Sequence, residues 1–225
     1  MSGAPPPRAV IFDLDGTLVD SLESVAAAMA RALSEHGFAI ETAAVVPLIG
    51  PPMELLVEQV TGWTPEVAQR VNEDFARLYY SEYVAHSRPM AGAAVLLDRL
   101  AAAGIPLAVL TNKVESGGQR MLEVLGWRDR FTVLAGRDTL PRPKPAPDGA
   151  RYILDRLHVY ASAGAIVGDT EFDICCGRDA GLAYVVGIVG ERSAAQLRAA
   201  GATHVARTLD EVGAILLDGA RDERP

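Results

Sequence analysis

One short apolar run, Ala9-Val10-Ile11-Phe12, is followed by a stretch from Asp20 to Arg88 that carries helical periodicity and no strand. Only after Pro89 does a regular alternation of short apolar runs and helical segments begin. A segment that long is no ordinary crossover loop. It reads as a helical subdomain inserted behind the first strand of an α/β core. The expected organisation is therefore a core built from residues 1–19 and 89–225, with an all-helical cap over residues 20–88.

The local patterns agree. Asp20 and Glu23 have the spacing of a capping box, and Leu22, Val25, Met29 and Leu33 recur at helical spacing until Gly37 ends the run. Met53, Leu56, Val57 and Val60 form a second stripe, and Thr64-Pro65 opens a third helix through Val67, Val71, Phe75 and Leu78. Beyond Pro89, strands are expected at 105–110, 131–135, 165–167, 183–189 and 203–205. Helices are expected between them and over 209–216. Such alternation implies a parallel sheet covered by helices on both faces.

Composition excludes several classes. Of the 225 residues, 49% are hydrophobic and 22% charged, which is globular rather than disordered. With 29 acidic against 21 basic residues the net charge is −8, which argues against a nucleic-acid or anionic-membrane binder. The two cysteines, Cys175 and Cys176, are adjacent, so no disulfide framework exists and a cytoplasmic setting is expected. No apolar run is long enough to span a bilayer, and Met1–Arg8 lacks the charged-then-apolar order of a signal peptide. Both ends, Met1–Arg8 and Asp218–Pro225, read as frayed.

In a parallel sheet, ligands bind beyond the carboxyl ends of the strands. Four expected strands are each followed there by a chemically suggestive cluster. The first is Asp13-Leu14-Asp15-Gly16-Thr17, where one carboxylate can attack and its neighbour can serve as general acid and base. The second is Thr111-Asn112, where a hydroxyl and adjacent backbone amides can hold a phosphoryl oxygen. In the third, Lys144 stands in a proline-stiffened loop, Pro141 to Pro147. The fourth, Gly168-Asp169 with Asp173, can complete a hard oxygen site with Asp13. Taken singly, each cluster is also a turn, a helix cap or a surface lysine. Together at one sheet edge they fit one task, catalysis around a phosphoryl group.

This ordered set resembles the haloacid dehalogenase superfamily of aspartate-based phosphohydrolases, over Val10 to about Leu216. The resemblance implies a Rossmann-like core with a helical cap. It also implies a Mg2+-dependent phosphomonoester hydrolase working through an aspartyl-phosphate. By that resemblance Asp13 is the nucleophile and Asp15 the acid and base. Thr111, Asn112 and Lys144 bind the phosphoryl group. The metal is held by Asp13, the backbone carbonyl of Asp15 and Asp169, with Asp173 acting through water or orienting Lys144. Leu48-Ile49-Gly50-Pro51-Pro52 and Gly136-Arg137-Asp138-Thr139-Leu140-Pro141 resemble the phosphoglycolate phosphatase group, except that Arg137 stands where a second glycine is expected.

A small phosphorylated metabolite is the expected partner, with the monomeric or homodimeric state left open. A nucleotidase or pyrophosphatase is the alternative; a phosphosugar mutase and a non-catalytic binding module stand behind it. A dehalogenase is disfavoured because Asp15 is present, and a phosphonatase because residues 20–88 contain no lysine. Arg142 and the scattered histidines read as surface or structural, and the cysteines as packing. Tyr79, Tyr80 and Tyr83 read as core or a partner surface, while Trp63 is a candidate to face the site. Hinges for cap movement are expected near 19–21 and 88–92.

Overall fold

The computed structural model describes residues 5–218. Its main sheet has six strands: β1 (Ala9–Phe12), β4 (Leu107–Leu110), β5 (Val133–Ala135), β6 (Gly164–Gly168), β7 (Tyr184–Ile188) and β8 (His204–Ala206). Their order is β5-β4-β1-β6-β7-β8, and every pairing is parallel. The chain builds outward from β1 through β4 and β5, then returns to the other side of β1 for β6, β7 and β8. The sheet's switch point is therefore between β1 and β6, where a ligand crevice forms in open sheets of this kind.

The alternation of side chains explains why the sheet is buried on both faces. Val10 and Phe12 enter one core and Ala9 and Ile11 the other. The first core is closed by α5 (Ala93–Ala102), α6 (Glu115–Val124) and α10 (Leu209–Asp218), through Leu96, Met121 and Val212 among others. The second is closed by α7 (Asp148–Leu157), α8 (Glu171–Ala180) and α9 (Ala194–Ala200), through Ile153, Ile174 and Leu197. Each such aliphatic side chain stabilises the fold by about 1.5–3 kcal/mol on burial.

Between β1 and β4 lie the helices of the insertion: α1 (Leu22–Glu35), α2 (Thr42–Val45), α3 (Met53–Thr61) and α4 (Pro65–Leu78). A π-helical turn, Tyr79–Tyr83, and a 3-10 turn, Val84–His86, complete it. Val71, Phe75 and Leu78 bury one stripe of α4, at the spacing the sequence shows. Val25, Met29 and Leu33 of α1 do the same and join the first core of the sheet.

Three expectations change. The stretch from Asp20 to Arg88 is not strand-free at its ends: β2 (Val19–Asp20) and β3 (Arg88–Pro89) form a two-residue antiparallel ribbon. Asp20 lies in that ribbon, so it does not cap α1; Ser21 takes the N-cap position, its side chain making no capping hydrogen bond. Nor is all of the N-terminal lead-in frayed, because the Arg8 amide donates to Ala163 O (2.7 Å) and the Tyr184 hydroxyl to Pro5 O (2.8 Å). Residues 1–4 and 219–225 lie outside the described residues. No single described helix is long and apolar enough to cross a membrane.

Candidate active site

Strand register gathers the four clusters. Phe12 pairs with Val167 and Leu110 with Ala135, so Asp13, Thr111, Gly136 and Asp169 all leave the sheet at one edge. The Asp13 amide donates to Val167 O (3.0 Å), which anchors the residue as the strand ends. Gly16 then turns the chain with φ +75°, and a Cβ there would lie 2.3 Å from Asp169 Oδ2. Only glycine admits both the backbone conformation and that approach.

Lys144 is buried beneath this edge. Its Nζ lies 2.8 Å from Asp13 Oδ1 and donates to Asp173 Oδ1 at 2.6 Å. Asp173 serves two purposes at once. Its other oxygen accepts from the Thr170 amide (3.1 Å) and hydroxyl (2.7 Å), completing the capping box of α8. The helix cap and the site residue are thus the same carboxylate, which fixes the direction of Lys144. Asp169 accepts from the Thr17 hydroxyl at 2.9 Å. Arg142 pairs instead with Asp148 at the surface, as its surface reading implied.

Asp15 faces a different set of groups. It accepts from the Ser21 hydroxyl and pairs with Lys113 Nζ at 3.2 Å. Lys113 itself sits 4.4 Å from the Tyr79 ring centroid. Thr111 accepts from the Lys113 amide (3.1 Å), leaving its own hydroxyl proton free to donate. Asn112 donates to Gly50 O (2.8 Å) and Lys144 O (3.2 Å), tying the insertion to the lysine loop; its Oδ1 is buried without a partner.

Above these groups lies a cavity of ≈ 70 Å³, lined by Asp13, Asp15, Thr111, Asn112 and Asp169 from the sheet edge. The insertion supplies the opposite wall, including Ile49, Met53, Asn72, Phe75 and Tyr80. Seven residues singled out in the sequence therefore come together, five around the cavity and Lys144 and Asp173 below its floor. Sequence reasoning missed Lys113, although it directly follows Thr111-Asn112. It also missed Ser21, Asn72 and the site-facing position of Tyr80, and gave Thr17, though part of the first cluster, no role of its own. Trp63 does not line the cavity; it packs edge-on against Phe38, at 5.9 Å between centroids. Cys176 is a core residue, its thiol pushed up to about 12 by burial.

The electrostatics ask for a cation. Burial raises Asp13 from 3.8 to about 7; Lys144 opposes the rise, while Asp173 and Asp15 add to it. Asp169 is also raised well above the ordinary carboxylate range, by burial and then by Asp173 and Asp13. Burial alone would lower Lys144 and Lys113, but the carboxylates of Asp13 and Asp173 for one, and Asp15 for the other, outweigh it and raise both. The site holds two more carboxylates than ammonium groups. Oxygens of Asp13, Asp169 and Asp173 lie within 4.8 Å of one another. Such a hard, all-oxygen set suits a divalent cation, whose charge would offset the excess.

A pH dependence follows for the cation-free protein. Between about 4 and about 7 the native state keeps an Asp13 proton that the unfolded chain has lost, so stability falls as pH rises through that window. Urea midpoints in chelator should decline from pH 5 to pH 7.5. The decline should shrink with excess divalent cation and in Asp13→Asn.

A parallel sheet with this carboxylate-rich switch point defines a class, the α/β hydrolases of the haloacid dehalogenase type. The model of the haloacid dehalogenase-like hydrolase family matches residues 10–187, and the chain belongs to that family. A phosphoglycolate phosphatase of Rhodospirillum rubrum is 38% identical over 190 residues, covering 80% of this chain and 79% of the relative. A phosphoglycolate phosphatase of Aquifex aeolicus is 31% identical over 184 residues, covering 81% and 85%. The solved structure of a hydrolase from Pseudomonas syringae matches with a TM-score of 0.82 at 24% identity, covering 96% of this chain and 100% of its own; it bears on the fold alone. Within the family the chain is a phosphatase.

Proposed function

We propose that the protein is a Mg2+-dependent phosphomonoester hydrolase that converts 2-phosphoglycolate to glycolate and phosphate. The observation that carries the chemistry is the Asp13–Lys144–Asp173 arrangement beneath the cavity. It holds one carboxylate rigid, paired and facing the space where a phosphoryl group would sit.

In this reading an Asp13 oxygen attacks phosphorus and the bond to the ester oxygen breaks. Asp15 gives its proton to the departing alkoxide. Asp15 then takes a proton from water, whose oxygen attacks the aspartyl-phosphate, releasing phosphate and restoring Asp13. Lys144 and Thr111 hold the phosphoryl oxygens, and Asn112 keeps the lysine loop in place. The cation, held by Asp13, the Asp15 carbonyl and Asp169, supplies charge neutralisation to the transferring group.

Residues 20–88 act as the cap over a core of 1–19 and 89–225, with the β2–β3 ribbon as the place where the two move. Closure over the site excludes bulk water during transfer. The space between the sheet edge and the insertion is small and walled on the insertion side mainly by apolar side chains, Leu22, Val46, Ile49, Met53 and Phe75. That favours a phosphorylated two-carbon acid over a nucleotide. The relatives from R. rubrum and A. aeolicus, both phosphoglycolate phosphatases, support the same substrate.

The test is phosphate release from 2-phosphoglycolate, mononucleotides, pyrophosphate and sugar phosphates, with Mg2+ or with chelator. The expected result is a preference for 2-phosphoglycolate of at least about tenfold in kcat/KM, lost in chelator. A stronger preference for pyrophosphate or a nucleotide would overturn the substrate and keep the phosphatase.

A further inference from the structure

The cap wall of the cavity is mostly apolar, with Leu22, Val46, Ile49, Met53 and Phe75 facing it. Asn72, from α4, interrupts that surface. It is 8% exposed, lines the cavity and makes no side-chain hydrogen bond among the described residues. Its carboxamide is unpaired but not sealed from solvent, so its donor and acceptor groups are open to a ligand in the cavity.

Three cations also border the cavity: Lys113, Arg137 and Arg192. Lys113 is committed to Asp15 and the Tyr79 ring. Arg192 is committed to Glu171 and to Pro47 O. Arg137 differs. Its backbone amide is fixed to Lys113 O at 2.8 Å, and its guanidinium uses one Nη on Glu54 of the cap. Glu54 Oε2 is buried with no partner, so this pairing is half-made. The remaining guanidinium N–H groups form no other hydrogen bond among the described residues. A guanidinium suits a carboxylate because two parallel N–H groups can engage both oxygens. In this chain Glu54 is the carboxylate it has found.

We propose that Arg137 and Asn72 form the subsite for the part of the substrate that is not transferred, and that this part is a carboxylate. Glu54 is then a placeholder that a substrate carboxylate displaces or shares. The assignment rests on the phosphatase reading above. It explains why an arginine, not a glycine, follows Gly136: the chain spends a long side chain there to reach across the cavity to the cap.

The test compares 2-phosphoglycolate with ethyl phosphate, which has the same length but no carboxylate. Wild type should prefer the acid. Arg137→Gln should cut that preference about 10- to 100-fold, chiefly through KM, and Asn72→Ala about tenfold. Glu54→Gln keeps the guanidinium and removes its competitor, so the preference should hold or rise. If the Arg137–Glu54 pair is only a clasp between cap and core, Arg137→Gln and Glu54→Gln will impair both substrates in proportion, and the proposal falls.

The two readings fail differently. A wild type that prefers another phosphorylated acid, such as 2-phospholactate, with that preference lost in Arg137→Gln, removes 2-phosphoglycolate as substrate and supports the subsite. A wild type active on p-nitrophenyl phosphate but indifferent to the carboxylate overturns the subsite.

Discussion

Asp13→Asn should lower Mg2+-dependent phosphate release by about 10⁴-fold or more while leaving the protein at least as stable in chelator as the wild type. The first half follows from chemistry. An amide oxygen is a far weaker nucleophile than a carboxylate, and the variant is close to isosteric, so geometry is not the cause of the loss. The second half follows from crowding. Asp13 is one of three buried carboxylates whose oxygens lie within 4.8 Å of one another, and burial already pushes it up to about 7. Removing its charge relieves repulsion on Asp169 and Asp173, and Lys144 keeps its 2.6 Å bond to Asp173. Steady-state turnover and thermal melting in chelator check the two halves separately. Acid-quenched wild type incubated with radiolabelled substrate should carry phosphate on protein, and the variant none. A variant that retained a tenth of wild-type turnover would remove Asp13 as the nucleophile.

Much of this arrangement could be read from sequence. Asp13, Asp15, Thr111, Lys144 and Asp169 each follow a short apolar strand, and a parallel sheet brings all such positions to one edge. Their convergence is a consequence of topology, so local pattern was sufficient. Asp173 was legible too, though its two readings, helix cap and site residue, proved not to compete: one oxygen caps α8 while the other holds Lys144.

What escaped has a different physical origin. Glu54 and Arg137 meet across 83 positions of sequence, and nothing in either local pattern announces the other. Asn72 looks like an ordinary polar residue on an amphipathic helix until packing buries it against the cavity. Tyr80 lies in a π-helical turn, where the helical period used to place it fails. Its hydroxyl sits where Gly117 leaves room, since a Cβ on that glycine would stand 1.8 Å away. The β2–β3 ribbon pairs two residues on each side, too few for any alternation to show, and it took Asp20 away from the helix cap that its spacing with Glu23 suggested. Lys113 is the one omission that local sequence could have supplied, because a lysine beside a strand-end Thr-Asn pair is already at the correct edge.

Lys144→Met should have the opposite signature to Asp13→Asn, losing both activity and stability. The ammonium is buried, and it is the cation that pairs with Asp13 and Asp173, the latter fully buried. Methionine keeps much of the volume and none of the charge, so two buried carboxylates lose their partner. Removing one member of a buried ion pair costs about 3–5 kcal/mol. For a chain of this size that corresponds to roughly 10 °C in Tm. Part of the loss should be pH-dependent, because an unpaired Asp13 recovers by taking a proton, so the variant should lose least below about pH 7. Adding Asp173→Asn to Lys144→Met removes one of the stranded charges and should restore a substantial share of the stability without restoring turnover. Thermal melting of the two single variants and the double variant forms a cycle that isolates the coupling. Coupling near zero would mean that Asp173 does not hold Lys144 and serves only to cap α8. Strong coupling with turnover still absent would mean that the lysine is required for the reaction itself, beyond its part in the fold.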